Sequence, residues 1–217
     1  MAHSKKVFTK KPIYAFIDAS NLFYGGAKSL GWKIDYKKLL KYLKEKYSVS
    51  RTFYYGGIEI FGFDYSILER QPINLRKLIS HLKNKLDQQG ISEGQIVLID
   101  RNLQRAKFYL NLEKFGYYLR IKPVKIFVNE NGKPVKKANC DVDMTFDLMR
   151  YMQQYAGLVA LTGDGDFAPV LCYLKSKGRE IKILARGERT AKELKQLVGA
   201  DFRDFHYLRE ILKFEAK

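Results

Sequence analysis

Cysteine is nearly absent: the 217 residues include two, Cys140 and Cys172. A single pair frames no disulfide scaffold and predicts free thiols in a reducing cytoplasm. Histidine is as scarce, at His3, His81 and His206. Neither a zinc-spaced His/Cys set nor a Ser-His-Asp relay is therefore supported. Five Pro and 16 Gly exclude collagen-like and low-complexity chains. No apolar run approaches the roughly 20 residues of a membrane span. The run at 13–17 is too short for the apolar part of a signal peptide. Acids are also in short supply, with 23 Asp and Glu against 40 Lys and Arg, a net charge of +17.

That surplus of cations points to a polyanionic partner. Nucleic acid fits best, because neutralising phosphates releases counterions, and no strongly amphipathic basic helix argues for a membrane surface. With 46% hydrophobic and 14% aromatic residues, the chain can bury a sizeable core. Its length suits one large domain. Residues 1–12, with Lys5, Lys6, Lys10 and Lys11, read as a basic arm, and 13–217 as a single domain with an inserted segment at about 64–100.

Strand and helix signals alternate from there on. Strands are expected at 13–18, 51–60, 96–99, 117–128, 158–161 and 181–185, and helices at 35–47, 72–89, 103–114, 141–155 and 167–177. Asn131-Gly132 signals a hairpin. Alternation of this kind predicts an α/β fold, a mainly parallel sheet covered by helices on both faces. Sites in such folds lie at the carboxyl ends of strands.

In a basic chain, the acids that follow buried strands stand out. Asp18 ends the first strand, Asp164 and Asp166 follow the strand at 158–161, and Asp141 opens a helix. Each alone also fits a structural role: Asp18 in a turn, Asp141 at a helix start, Asp166 as a cap. Together at one sheet edge they form a set of hard oxygen ligands suited to Mg²⁺ or Mn²⁺. On a helical wheel, Val142, Phe146 and Met149 mark the expected inward face, with Asp141 beside them. Asp143 and Asp147 then fall opposite, as a solvated cluster with Arg150 that could at most support the metal ligands from behind.

Three motifs in this order resemble the PIN-like nuclease superfamily, and its NYN (LabA-like) branch most closely. They are Asp18-Ala19-Ser20-Asn21, then Lys137 with Asp141, Val142 and Asp147, then Thr162-Gly163-Asp164-Gly165-Asp166-Phe167. The resemblance implies a three-layer α/β/α sandwich and a metal-dependent ribonuclease. Asp18, Asp141, Asp164 and Asp166 would hold one or two Mg²⁺ or Mn²⁺ ions, and Asn21 would orient Asp18 or the scissile phosphate. Water would attack phosphorus and leave 5′-phosphate and 3′-hydroxyl ends.

Basic residues rim the same expected edge: Lys122, Lys125, Lys136, Lys137, Arg186 and Arg189. Gly187 would let a phosphate approach the backbone. Tyr117, Tyr118 and Phe127 interleave with lysines, as single-stranded RNA prefers, although strands favour such rings in any case. A dehalogenase-type phosphatase needs a second acid where Ser20 stands. A Toprim-type site is opposed by an Asp at 18. A non-catalytic RNA-binding module is the remaining alternative.

Overall fold

The computed structural model describes residues 11–20, 22, 31–66, 68, 71–128, 130 and 134–215, with backbone alone at 126–128 and 134–137. The apolar run Ile13–Asp18 forms β1 and is buried from Tyr14 onward. A strand apolar on both faces belongs in the middle of a covered sheet. Its partners are β2 (Val49–Ile58), β3 (Tyr118–Pro123), β6 (Gly157–Leu161), β7 (Glu180–Ala185) and β8 (Phe202–Asp204). They lie in the order β3-β2-β1-β6-β7-β8, and these pairings are all parallel. A separate antiparallel ribbon joins β4 (Lys125–Val128) to β5 (Pro134–Lys137). The turn signal Asn131-Gly132 lies outside the described residues.

Alternate residues of β1 serve two cores. Ala15 and Ile17 face one, with leucines of α1 (Tyr36–Tyr47), α2 (Leu75–Leu86), α3 (Glu93–Phe115) and α7 (Arg209–Leu212). Tyr14 and Phe16 face the other, with α4 (Asp141–Arg150), α5 (Ala168–Ser176) and α6 (Lys192–Val198). The result is the expected α/β/α sandwich about a parallel sheet. In α1, Asp35 caps the start by accepting from the backbone N–H groups of Lys37 and Lys38. Leu39, Leu40 and Leu43 are buried, each worth about 1.5–3 kcal/mol.

The run 96–99 is not a strand. It lies in the first turns of α3, where Ser92 and Gln95 form a capping box. Ile99, Leu103, Ala106, Tyr109 and Leu112 are buried at helical spacing, while Ile96 and Val97 face outward. The helix therefore runs unbroken to Gly116, whose φ of 102° ends it. Buried Asn102 then ties α3 to the end of β2, accepting from the Glu59 N–H at 3.2 Å. The helix expected over 141–155 stops at Arg150, and three-residue β8 supplies an edge strand that sequence periodicity misses.

Candidate metal centre at the switch point

From β1 the sheet is built outward through β2 to β3, and from β6 outward through β7 to β8. The connections diverge between β1 and β6, the position at which open parallel sheets form their crevice. Asp18 ends β1, and Thr162-Gly163-Asp164 leaves β6 beside it. A cleft of about 600 Å³ opens there, lined by Asp18, Ser20, Asp164, Arg189 and Lys192 among others.

Asp18 is buried and held on both oxygens. One accepts from the Ser20 N–H and hydroxyl at 2.9 and 2.7 Å, the other from the Thr162 hydroxyl at 3.4 Å. Thr162 in turn accepts from the Asp164 N–H at 3.2 Å. Asp164 caps the following 3₁₀ turn, accepting from the Asp166 N–H at 3.0 Å. Gly163 is required by close approach: a Cβ there would stand 3.0 Å from the Thr190 hydroxyl and 3.2 Å from the Arg189 carbonyl. That contact seats the segment after β7 against the β6 loop, with the Ala191 N–H donating to the Gly163 carbonyl at 3.0 Å.

Asp141 arrives from the other side, on the first turn of α4, its N–H bonded to the Asn139 side chain at 2.8 Å. Its carboxyl is pushed above the usual aspartate range, first by burial, then by the charges of Asp18, Asp164 and Asp166. Asp141 is thus close enough to feel the other three acids. Among the described residues no Lys or Arg forms an ion pair with any of them. Nor do three His, Cys, Asp or Glu side chains among the described residues stand close enough to hold one ion. The donors are all hard oxygens, and the uncompensated negative charge fits a divalent cation of the Mg²⁺ or Mn²⁺ class.

The other expected site residues divide. Asn21 lies outside the described residues. On α4 the faces are the reverse of those expected: Met144, Asp147 and Leu148 are buried, while Val142, Phe146 and Met149 are exposed. Asp147 is no solvated acid. It accepts from the Tyr55 hydroxyl at 3.0 Å and from Arg120 at 2.8 Å, and that polar network turns an otherwise apolar-looking wheel around. Asp143 ion-pairs with Lys122, which also donates to the Asn139 carbonyl at 2.9 Å.

Lys122 is therefore engaged in holding the start of α4, not displayed as a free cation. Arg186 is also mostly enclosed, between Glu188 at 3.0 Å and Asp204 at 4.0 Å. A Cβ at Gly187 would meet the Asp204 carboxylate, so that glycine does not open a path for phosphate. Arg189 and Lys125 are exposed, and Arg189 lines the cleft. Lys136 and Lys137 pair through their backbones with Ile126 and Lys125, and their side chains lie outside the described residues. Tyr117 is buried and donates to the Tyr36 carbonyl at 2.6 Å, so it offers no stacking face, whereas Tyr118 is exposed. The Phe127 side chain lies outside the described residues. Sequence reasoning missed Ser20, Thr162 and Lys192, the last at the start of α6 on the cleft rim.

The family model described as "NYN domain" matches residues 62–206, well over half of the chain. The chain belongs to the NYN domain family. Asp141, Asp164 and Asp166 lie inside the matched stretch, and Asp18 lies ahead of it. The low amplitude and bright protein LabA of Synechococcus elongatus is 25% identical over 192 residues, covering 87% of this chain and 81% of that protein. A crystal structure of a protein of unknown function from Vibrio parahaemolyticus superposes with a TM-score of 0.59 at 15% identity, covering 90% of this chain and 93% of that one. It shares the fold. Among the described residues no helix is long and apolar enough to cross a membrane.

Proposed function

We propose that this NYN domain is a ribonuclease dependent on Mg²⁺ or Mn²⁺, acting in the cytoplasm on single-stranded RNA. The observation that carries the reading is the gathering of Asp18, Asp141, Asp164 and Asp166 at the switch point with no cationic partner among the described residues. These four would supply the metal's ligands, drawing closer around the ion than they stand without it. When bound, it would supply an acidified water and positive charge facing the scissile phosphate.

The chain's own residues prepare that encounter. Ser20 and Thr162 fix the orientation of Asp18. Asp164 commits one oxygen to its own turn and leaves the other without a hydrogen-bond partner among the described residues. Arg189 and Lys192 on the rim attract the phosphate backbone. Water adds to phosphorus, the bond to the 3′ oxygen breaks, and that oxygen takes up a proton. The ends are a 5′-phosphate and a 3′-hydroxyl.

The test is an end-labelled RNA incubated with Mg²⁺, with Mn²⁺ or with EDTA. Cleavage with either metal, none with EDTA, and ligatable 5′-phosphate ends are expected. Equal cleavage in EDTA, or 2′,3′-cyclic phosphate ends, would refute the mechanism. RNA bound tightly but never cut would instead favour a non-catalytic binding module.

A further inference from the structure

The outer face of α4 carries a row of apolar side chains that no described residue covers. Val142 is 72% exposed, Phe146 61% and Met149 37%. Their spacing places them on one face of the helix. The row starts beside Asp141, at the acid crevice, and α4 carries it away by about 14 Å at 1.5 Å per residue. At its far end the Arg150 guanidinium lies 5.9 Å from the Phe146 ring and 5.2 Å from the Tyr151 ring.

The pattern continues onto the sheet. Tyr151 stacks on Phe53 at 5.1 Å, and Phe53 meets the half-exposed Tyr118 at 5.5 Å. The exposed guanidinium of Arg51 lies 5.8 Å from that tyrosine. Exposed Phe146, Arg150, Tyr118 and Arg51 thus lie along one path from α4 to the amino end of the sheet, joined from beneath by Tyr151 and the buried Phe53. Of the other acids on α4, Asp143 pairs with Lys122, and Asp147 with Arg120 and, at 3.9 Å, with the exposed Arg150.

We propose that this row is a base-stacking track for single-stranded RNA, extending the crevice along α4 toward Tyr118. The inference rests on the ribonuclease reading for what the crevice does. Charge selects the occupant. A second copy of the chain brings its own +17 against these arginines, whereas a polyanion is attracted to them. Exposed rings flanked by guanidinium groups suit unpaired bases, which present their faces, while the arginines reach the phosphates between. A duplex keeps its base faces hidden.

Fluorescence anisotropy with a short fluorescein-labelled oligouridylate, in EDTA and low salt, separates binding from cleavage. Phe146→Ala and Phe146→Leu should each weaken binding by about 5- to 50-fold, and Phe146→Trp should retain it. Phe146→Ala should leave the salt slope unchanged, whereas Arg150→Ala should lower it by about one. An RNA duplex should be indifferent to Phe146→Ala. Wild-type binding that Phe146→Ala leaves intact overturns the track and spares the ribonuclease reading. Failure of the wild type to bind any RNA overturns both. A wild-type dimer in light scattering that Phe146→Ala dissociates would make the row a self-interface, which also overturns the track.

Discussion

The guanidinium of Arg120 on β3 donates to the buried carboxylate of Asp147 on α4 at 2.8 Å. The Tyr55 hydroxyl donates to the same oxygen, and burial together with the Asp147 charge holds that phenol far above its usual range, so it stays a neutral donor. This pair locks α4, and with it Asp141, onto the sheet. Its two halves are unequally exposed, Asp147 at 4% and Arg120 at 34%. Removing the arginine leaves a buried carboxylate with only the Tyr55 hydroxyl and the exposed Arg150 at 3.9 Å to answer its charge, while removing the acid leaves an arginine that water can reach. Arg120→Ala should therefore cost about 2–4 kcal/mol and Asp147→Ala roughly half as much. Urea unfolding of both variants checks the order; a larger loss for Asp147→Ala would contradict it.

Asp141 carries the opposite kind of charge effect. Its pKa is raised in the folded state by burial and by Asp18, Asp164 and Asp166. A raised carboxyl binds its proton more readily folded than unfolded. Folding thus gains as pH falls through the folded pKa, and above it the ionised group is a standing penalty. Asp141→Asn should melt higher than wild type near pH 7, with the difference shrinking as pH falls toward 4. Thermal melts across that range decide it. Saturating Mg²⁺ should raise the melting temperature of wild type more than that of the variant.

The fold was largely legible because the parallel-sheet signal is strong: β1 and β6 are short runs apolar on both faces, each ending in polar, acid-bearing turns. The placement of Asp18 and Asp164 was legible for the same reason, since a strand end fixes where each must lie. The outer surfaces were harder. The reversal of α4 came from Asp147, a carboxylate that looks solvent-facing until Arg120 and Tyr55, distant in sequence, are seen to satisfy it. Lys122 and Arg186 looked like free cations because their acid partners, Asp143 and Asp204, come from other elements. The run at 96–99 reads as a strand by composition alone, whereas the capping box of Ser92 and Gln95 just before it is the local signal that starts α3 there.

The two cysteines should differ in reactivity. Cys140, at the start of α4, is buried, and desolvation pushes its thiol up to about 12. Cys172 on α5 is exposed. The thiolate is the reactive form, so near pH 7.5 a disulfide reagent such as DTNB should modify one thiol quickly and the second only after unfolding. Cys172→Ser should abolish the fast phase. Two fast thiols in the native wild type would show that α4 opens at its start.

Asp164→Asn separates chemistry from binding. The amide oxygen of Asn can still accept from the Asp166 N–H, as Asp164 does at 3.0 Å, so the turn should persist. What disappears is one negative charge from the four-acid cluster. A divalent ion loses a hard ligand there, and the phosphate loses a repulsive neighbour, while Arg189 and Lys192 on the rim are untouched. Cleavage of labelled RNA in Mg²⁺ should fall by at least about 100-fold, since even residues behind a ligand are worth 10–100-fold. RNA affinity measured in EDTA should hold or tighten. Excess Mn²⁺ should not restore the variant to wild-type rates. Binding and cleavage lost in proportion would mean that Asp164 holds the cleft together instead of charging it, and circular dichroism melts of the variant would then show the same loss.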